Sequence, residues 1–346
     1  MSRAALLPSM GDPFVCLYWF RFFENVWQDE VDKLYIYVST KSVTPESLQL
    51  IHERVASHPK VEFQLMTREF HDHGEIMRKL LLDCQESHLM FIEDDGFIFG
   101  EGAVDEQFRR VENDGFDLIG SPRDSIHVPI REREEEIWGK IRLGYDPGPN
   151  FWPNFLFATP ELLKKTDMHF ESKHWYKGHY IKELDMTLEE DSGADTFSWA
   201  AIQLRTITDK IGYCPQYKAY PHDPLLRSQK EWTFSGNAKW IHAGSFSSGI
   251  RYFLRDENNV TLDGQPLQPL TPPADEGARN DFECRMAWWE MLSEATACET
   301  DAIADFRSEY AAAIKRLIDY MDLHRNEIDY RKKMYLELMG NKEWMT

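Results

Sequence analysis

The first hundred residues switch repeatedly between a strand-like and a helix-like hydrophobic period, and few folds accommodate that alternation. Residues 4–8 form a short apolar run that ends at a Gly11-Asp12-Pro13 turn. Residues 14–27 read as an aromatic-rich helix, and 33–38 (KLYIYV) as a β-rich run closed by Ser39-Thr40. Residues 45–57 place Leu48, Ile51 and Val55 at helical spacing, and 60–66 (KVEFQLM) alternate as a strand does. Gly74 opens a helix over 75–85 with Ile76, Leu80 and Leu81 facing inward. Residues 88–92 (HLMFI) are almost continuously apolar, as in a strand buried on both faces. Strand–helix repeats with short connections imply right-handed crossovers, so the expected fold is α/β: a mostly parallel sheet flanked by helices. Ligands in such sheets bind beyond the carboxyl ends of the strands, here residues 10–12, 39–40, 67–69 and 93–95.

Composition removes other classes. The 346 residues are 42% apolar and 28% charged, which is a globular profile with no room for a disordered or fibrous reading. The net charge of −20 argues against broad binding to nucleic-acid backbones or anionic lipid. No run reaches the roughly 18–20 apolar residues of a membrane span; the best, 14–20, is followed by Arg21. No secretory leader pattern is present, and the five widely spaced cysteines (Cys16, Cys84, Cys214, Cys284, Cys298) show no zinc spacing. A cytoplasmic protein with reduced thiols is expected.

Further along, residues 116–119 read as a fifth strand, running into Gly120-Ser121-Pro122-Arg123-Asp124. The stretch from about 115 to 250 is rich in Trp, Pro, His and Gly and is expected to supply loops over the sheet. A proline-rich segment then marks a boundary. The expected organisation is a domain over 1–264, a linker over 265–275 and a helical subdomain over 276–346. Within the first, 1–125 and 126–264 read as two halves. The C-terminal helices could pack on the core or mediate a homodimer.

Glu93-Asp94-Asp95 follows the 88–92 run directly. If the strand continues, side-chain alternation points Glu93 and Asp95 the same way and Asp94 opposite. Paired carboxylates there offer hard oxygen ligands to Mg²⁺ or Mn²⁺, and such an ion could bridge a diphosphate leaving group.

The order of these elements, ending in an acidic triplet, resembles a GT-A glycosyltransferase, and the triplet resembles that fold's DxD-type motif. The resemblance covers roughly residues 4–250 and implies that 1–125 is the nucleotide-sugar-binding half and 126–264 the acceptor-side half. It implies Asp95 as the main metal ligand, with Glu93 as a second, while Glu93 and Asp94 contact ribose or metal-bound water. It implies that Ser9 and Asp12, after the first strand, and Ser39, after the second, lie at the nucleoside. Gly74 would admit the nucleotide close to the backbone, with the helix start favouring phosphate. Arg78, one turn on, reads either as a phosphate contact or as an exposed helix residue. His71 and His73 lie in the loop before that helix and could face the sugar nucleotide. His242, in the segment Trp240-Ile241-His242-Ala243-Gly244-Ser245, would complete the metal site, with Ser245 on phosphate oxygens. His222 is a weaker candidate. In residues 146–157 (DPGPNFWPNFLF), Trp152 and Asn154 would meet a sugar acceptor, although Trp152 reads equally as core. Inverting relatives place a general base just before the next helix, and both Asp191 and Asp195 stand there. Asp195 reads equally as that helix's N-cap.

The implied activity is glycosyl transfer from a nucleoside-diphosphate sugar, a UDP-sugar first, to an acceptor hydroxyl on a glycan, a small molecule or a hydroxymethylated base in DNA. A non-catalytic carbohydrate-binding scaffold is the alternative from another class. A nucleotidyltransferase would need a Gly-rich, Arg-containing loop after the first strand, which residues 9–12 lack.

Overall fold

The chain, as a computed structural model, is described over residues 1–9, 13–40, 43, 45–66, 72–98, 101–122, 151–189, 191–194, 196–214, 216–218, 232–235, 240–243 and 325–326. The expected linker and C-terminal helical subdomain lie almost entirely outside these residues.

The N-terminal half follows the sequence pattern closely. It runs β1 (Arg3–Ser9), α1 (Pro13–Phe22, continued by a π-helical turn to Trp27), β2 (Lys33–Ser39), α2 (Pro45–Ile51), β3 (Val61–Met66), α3 (His73–Asp83) and β4 (His88–Phe91). Then come β5 (Gly96–Ile98), α4 (Ala103–Asn113), β6 (Leu118–Pro122), β7 (Phe151–Ala158) and α5 (Pro160–Leu163). Two small antiparallel pairs follow: β8 (Lys173–Trp175) with β11 (Ser192–Ala194), and β9 (Tyr180–Ile181) with β10 (Met186–Thr187). Helix α6 (Ser198–Ile207) leads to β12 (Ile211–Tyr213), β13 (Gln216–Lys218), β14 (Trp232–Ser235) and β15 (Trp240–Ala243).

Among the described residues one sheet has seven strands in the order β12-β6-β7-β4-β1-β2-β3. All pairings are parallel except those of β7, which runs against both β4 and β6. The expected α/β architecture, a mostly parallel sheet flanked by helices, is therefore present. Its central strands are buried along their length and edge strand β3 alternates, which is why the one set reads as continuous apolar runs and the other as period two. The sheet's neighbours on one face are α3 and α6: Ile76, Met77, Leu80 and Leu81 meet Ala4, Leu6 and Phe91, together with Phe197, Ala201 and Leu204. Each such fully buried large side chain contributes about 1.5–3 kcal/mol of transfer free energy.

The stretch expected as loops is more regular than its composition suggests. β13, β14, β15 and β5 form a second, antiparallel sheet, in which β15 pairs with β5. Helix α4 was also hidden, because its N-cap is Gly102 in the left-handed region, with φ of 77°. Its capping carboxylate comes from far away: Glu30 accepts from the N–H groups of Gly102, Val104 and Asp105 at 2.7–2.9 Å. Among the described residues no helix is long and apolar enough to cross a membrane.

At the amino ends of the central strands, Arg3 joins β1 to α4. Its guanidinium donates to Glu112 at 2.6 and 2.8 Å and to Asp105 at 2.8 Å, and it lies over the Phe108 ring. That pairing holds the Glu112 carboxyl below its ordinary range. Beside it, burial lowers the pKa of His88, since desolvation disfavours the imidazolium. Both groups bind protons more readily when unfolded, so both shifts make stability fall as pH falls. The His88 contribution is complete above the ordinary imidazole value of about 6.5 and disappears below it; that of Glu112 disappears below about 4.5. Thermal unfolding should therefore move to lower temperature between pH 7 and pH 5. His88→Gln should flatten that dependence, and Glu112→Gln should flatten it only at more acid pH, at the cost of a lower midpoint.

Candidate active site

Chain order creates the crevice. From β1 the chain passes outward to β2 and β3, then returns to the other side of β1 as β4. The β1–β4 boundary is thus a topological switch point, and the carboxyl ends of the two strands diverge there. Ser9 ends β1, and Glu93-Asp94-Asp95 follows β4.

The triplet does not continue the strand. The ladder's last bond is Ile92 N–H to Leu6 O, and Gly96 N–H then bonds back to Glu93 O at 3.0 Å. Glu93–Gly96 is a tight turn, so strand alternation does not decide where these carboxylates face. This corrects the expected same-face geometry while leaving all three acids within one turn.

Several elements hold the turn. The Ser9 hydroxyl donates to Asp94 Oδ2 at 3.0 Å across the crevice. From α1, Trp19 Nε1–H donates to Gly96 O at 2.7 Å. From β7, Asn154 Oδ1 accepts the Glu93 N–H at 3.1 Å. From the start of α3, His73 Nδ1 stands 3.4 Å from Glu93 Oε1. Asp94 and Asp95 are mostly buried, and Asn154 entirely so. β15 pairs with β5 in a register that sets His242 opposite Gly96, the residue after Asp95. Antiparallel partners have Cα atoms about 4.5–5.5 Å apart, so the expected histidine backbone does reach the acidic turn.

Other expected residues go elsewhere. Asn154 is not open to an acceptor; its side chain is part of the turn's support. Gly74 is not an opening toward a ligand: a Cβ there would stand 2.3 Å from the backbone of Phe170 and Glu171. The first turn of α3 is occupied by its own capping box, with Gly74 N–H on Asp72 Oδ1 at 2.8 Å and Asp72 N–H on Glu75 at 3.2 Å. Arg78 is partly exposed and stands 3.9 Å from the Glu171 carboxylate. Ser39 is buried at the end of β2, opposite Met66 of β3. Asp191 is exposed, with Oδ1 accepting the Lys177 N–H at 2.8 Å. Beside it in sequence, the start of α6 packs under the site: Phe197 and Phe170 both lie 6.3 Å from Phe91, two residues before Glu93. Asp12, Asp195, His71, His222 and Ser245 lie outside the described residues, as do the side chains of Trp152 and His242.

Sequence reasoning missed Trp19, His73 in its contact with Glu93, and Gly96. A Cβ at Gly96 would overlap the Asn154 amide at 2.3–2.8 Å, so Gly96 is the residue that lets β7 approach. The three described cysteines are buried and form no disulfide among the described residues, and burial pushes the thiols of Cys84 and Cys214 up to about 12, which suits core packing rather than nucleophilic attack.

The donor set is made of carboxylate oxygens, which suits a hard divalent cation. Among the described residues no group of three or more His, Cys, Asp or Glu side chains is placed to cage a metal. A magnesium-type ion that retains waters and takes its remaining ligands from substrate phosphates needs only one or two protein carboxylates, and Glu93 and Asp95 can supply them.

No family model matches the chain, and no curated protein does. Among solved structures, a mannosyltransferase of Pyrobaculum calidifontis in complex with GDP-Man and Mn²⁺ is 12% identical, covering 98% of this chain and 85% of that one at a TM-score of 0.40. TarS of S. aureus is 10% identical, covering 96% and 87% at 0.38. Glucosyl-3-phosphoglycerate synthase of Mycobacterium tuberculosis, in complex with Mn²⁺, UDP and phosphoglyceric acid, is 15% identical, covering 61% and 67% at 0.36. These are distant likenesses.

The packing at Gly74 makes a direct prediction. Gly74→Ala forces the start of α3 away from Phe170–Glu171, and overpacking of this kind costs about 1–3 kcal/mol. Chemical denaturation of the variant should show that loss; stability unchanged from the parent would contradict the packing.

Proposed function

We propose that this chain is a glycosyltransferase of GT-A type, moving a sugar from a nucleoside-diphosphate sugar, a UDP-sugar first, to an acceptor hydroxyl with the help of Mn²⁺ or Mg²⁺. The observation that carries the reading is the carboxylate turn seated at the β1–β4 switch point and tied to β1 through Ser9 and Asp94. A divalent ion bound there would offset the charge that builds on the departing diphosphate.

The chain's own residues then divide the work. Asp95 and Glu93 hold the ion, with His242 as a third ligand from the facing strand. Ser9 and Asp12 flank the nucleoside on one side of the crevice, Ser39 supports it from β2, and Asp94 orients the ribose. Ser245 contacts phosphate oxygens. Asp191 or Asp195 takes the proton from the acceptor hydroxyl as that oxygen attacks the anomeric carbon. The exposure of Asp191 favours access to an acceptor, and the packing of Phe197 against Phe91 keeps the start of α6 next to the turn. Trp152, on the strand beside β4, offers an aromatic face to the acceptor.

The test is a thermal-shift screen of nucleotide sugars with Mn²⁺, because a ligand at a hundred times its Kd adds about 2.7 kcal/mol to stability. One or more nucleotide sugars should raise the midpoint and be hydrolysed in a Mn²⁺-dependent way, and Asp95→Ala should lose both effects. Of Asp191→Asn and Asp195→Asn, one should lower kcat by about 10²–10⁴ with donor binding intact. If no nucleotide sugar shifts the midpoint with either metal, the assignment fails.

A further inference from the structure

Strand β7 reads FWPNFLFA, and Asn154 is its one polar side chain. It is fully buried, and its Nδ2 has no hydrogen-bond partner among the described residues. A carboxamide in such surroundings loses its hydration, so its retention needs a compensating task. Backbone geometry indicates the task. β7 pairs with β4 through Leu89–Ala158, Met90–Phe157 and Phe91–Leu156, and the same register carried onward sets Asn154 beside Glu93. On its other edge the ladder to β6 is broken, jumping from Ile119–Phe157 to Ser121–Trp152. Phe155 sits within that irregularity with φ of 56°, in the left-handed region that a bulky residue seldom adopts. Bulges re-aim side chains, and this one leaves the Asn154 side chain, rather than a strand carbonyl, as acceptor for the Glu93 N–H. Gly96 completes the fit, because any Cβ there would displace the amide. On the opposite side Trp19 Nε1–H fixes the Gly96 carbonyl.

We infer that Asn154 and Trp19 are positioning residues. They grip the two ends of the Glu93–Gly96 turn from β7 and α1 and thereby set the carboxylates to bind a divalent cation together with a nucleoside diphosphate. Neither touches the ligand. The inference rests on the glycosyltransferase reading and reassigns Asn154 from acceptor contact to support of the metal turn.

The experiment titrates Mn²⁺ into the full chain with UDP, and separately with GDP, following free Mn²⁺ by electron paramagnetic resonance. UDP and GDP affinities are also measured in EDTA. The wild type is compared with Asn154→Leu, Trp19→Phe and Asp95→Ala, and with His88→Gln as a control at the other end of β4. Loss of a supporting hydrogen bond behind a metal ligand typically costs about 10–100-fold in metal affinity, and that is the expected rise in half-saturating Mn²⁺ for Asn154→Leu and Trp19→Phe. Their metal-free nucleotide affinities should stay within about twofold, and the His88→Gln titration should match the wild type. A folded Asn154→Leu and Trp19→Phe that both titrate like the wild type, while Asp95→Ala has lost binding, overturn the positioning roles and leave the glycosyltransferase reading standing. If Asn154→Leu does not fold, Trp19→Phe, which keeps an aromatic ring and removes only the indole N–H, decides alone. Asp95→Ala titrating like the wild type, or a wild type that binds Mn²⁺ with neither nucleotide, sinks the reading and the positioning roles together.

Discussion

The parallel pairing of β1 with β4 is the constraint on which the rest of the site depends. It aligns Arg3–Leu6 with His88–Phe91, and β1 runs on past that pairing to Ser9, which brings Ser9 level with the turn that follows β4. Ser9 can then donate to Asp94, and the acidic turn is fixed to β1 as well as to its own strand. The same pairing sets the amino ends together, where Arg3 binds Glu112 and Asp105 near His88. One end of the pair is closed by a charged network that holds α4, and the other carries the Glu93–Asp95 turn. The charged network and the proposed chemistry thus lie at opposite ends of a single strand pair.

The elements legible in the sequence are those whose signals are local. β1, β2, β4 and helices α1 to α3 announce themselves by apolar period and by end signals such as Gly11-Asp12-Pro13 after β1 and Ser39-Thr40 after β2. What was illegible depends on partners far away in the chain. Helix α4 has a weak start because its cap is Glu30. β5 is three residues long and exists because β15 pairs with it from the other end of the domain. β7 is apolar enough to read as a strand, yet its reversed direction and its irregularity are set by neighbours on both sides. Propensity carries no record of such pairings.

The site shows the same division. That carboxylates gather after β4 follows from the residue types and from the end of a buried strand. Their arrangement does not, because the strand stops at Phe91 and a turn begins. Asn154 was assigned to an acceptor by the resemblance of residues 146–157 to an acceptor-side strand, together with the ability of a carboxamide to bond sugar hydroxyls. Its burial and its place between Glu93 and Gly96 favour support of the turn instead. Gly74 illustrates the opposite error. Glycine at a helix start near a nucleotide suggests ligand approach, but the missing Cβ makes room for Phe170–Glu171.

The excess of acidic residues acquires a physical division of labour. Asp105 and Glu112 bind Arg3, Glu30 caps α4, Asp72 and Glu75 cap α3, and Asp83 and Glu86 accept from Tyr37 and Tyr35. In each case the carboxylate meets a donor that the fold itself supplies. The Glu93–Gly96 turn is gripped differently. Ser9, Trp19 and Asn154 are neutral, and two of the three bonds are to backbone atoms. Ser9 donates to the Asp94 carboxylate and Trp19 to the Gly96 carbonyl, while the Asn154 carbonyl accepts the Glu93 N–H, so the shape of the turn is fixed from three elements. Carboxylates held close together in one turn, with Asp94 and Asp95 mostly buried, repel one another, and under the proposed reading a bound cation would relieve that cost. Shape and charge at this site are thus set by different residues: Ser9, Trp19 and Asn154 hold the turn, and Glu93, Asp94 and Asp95 carry its carboxylates.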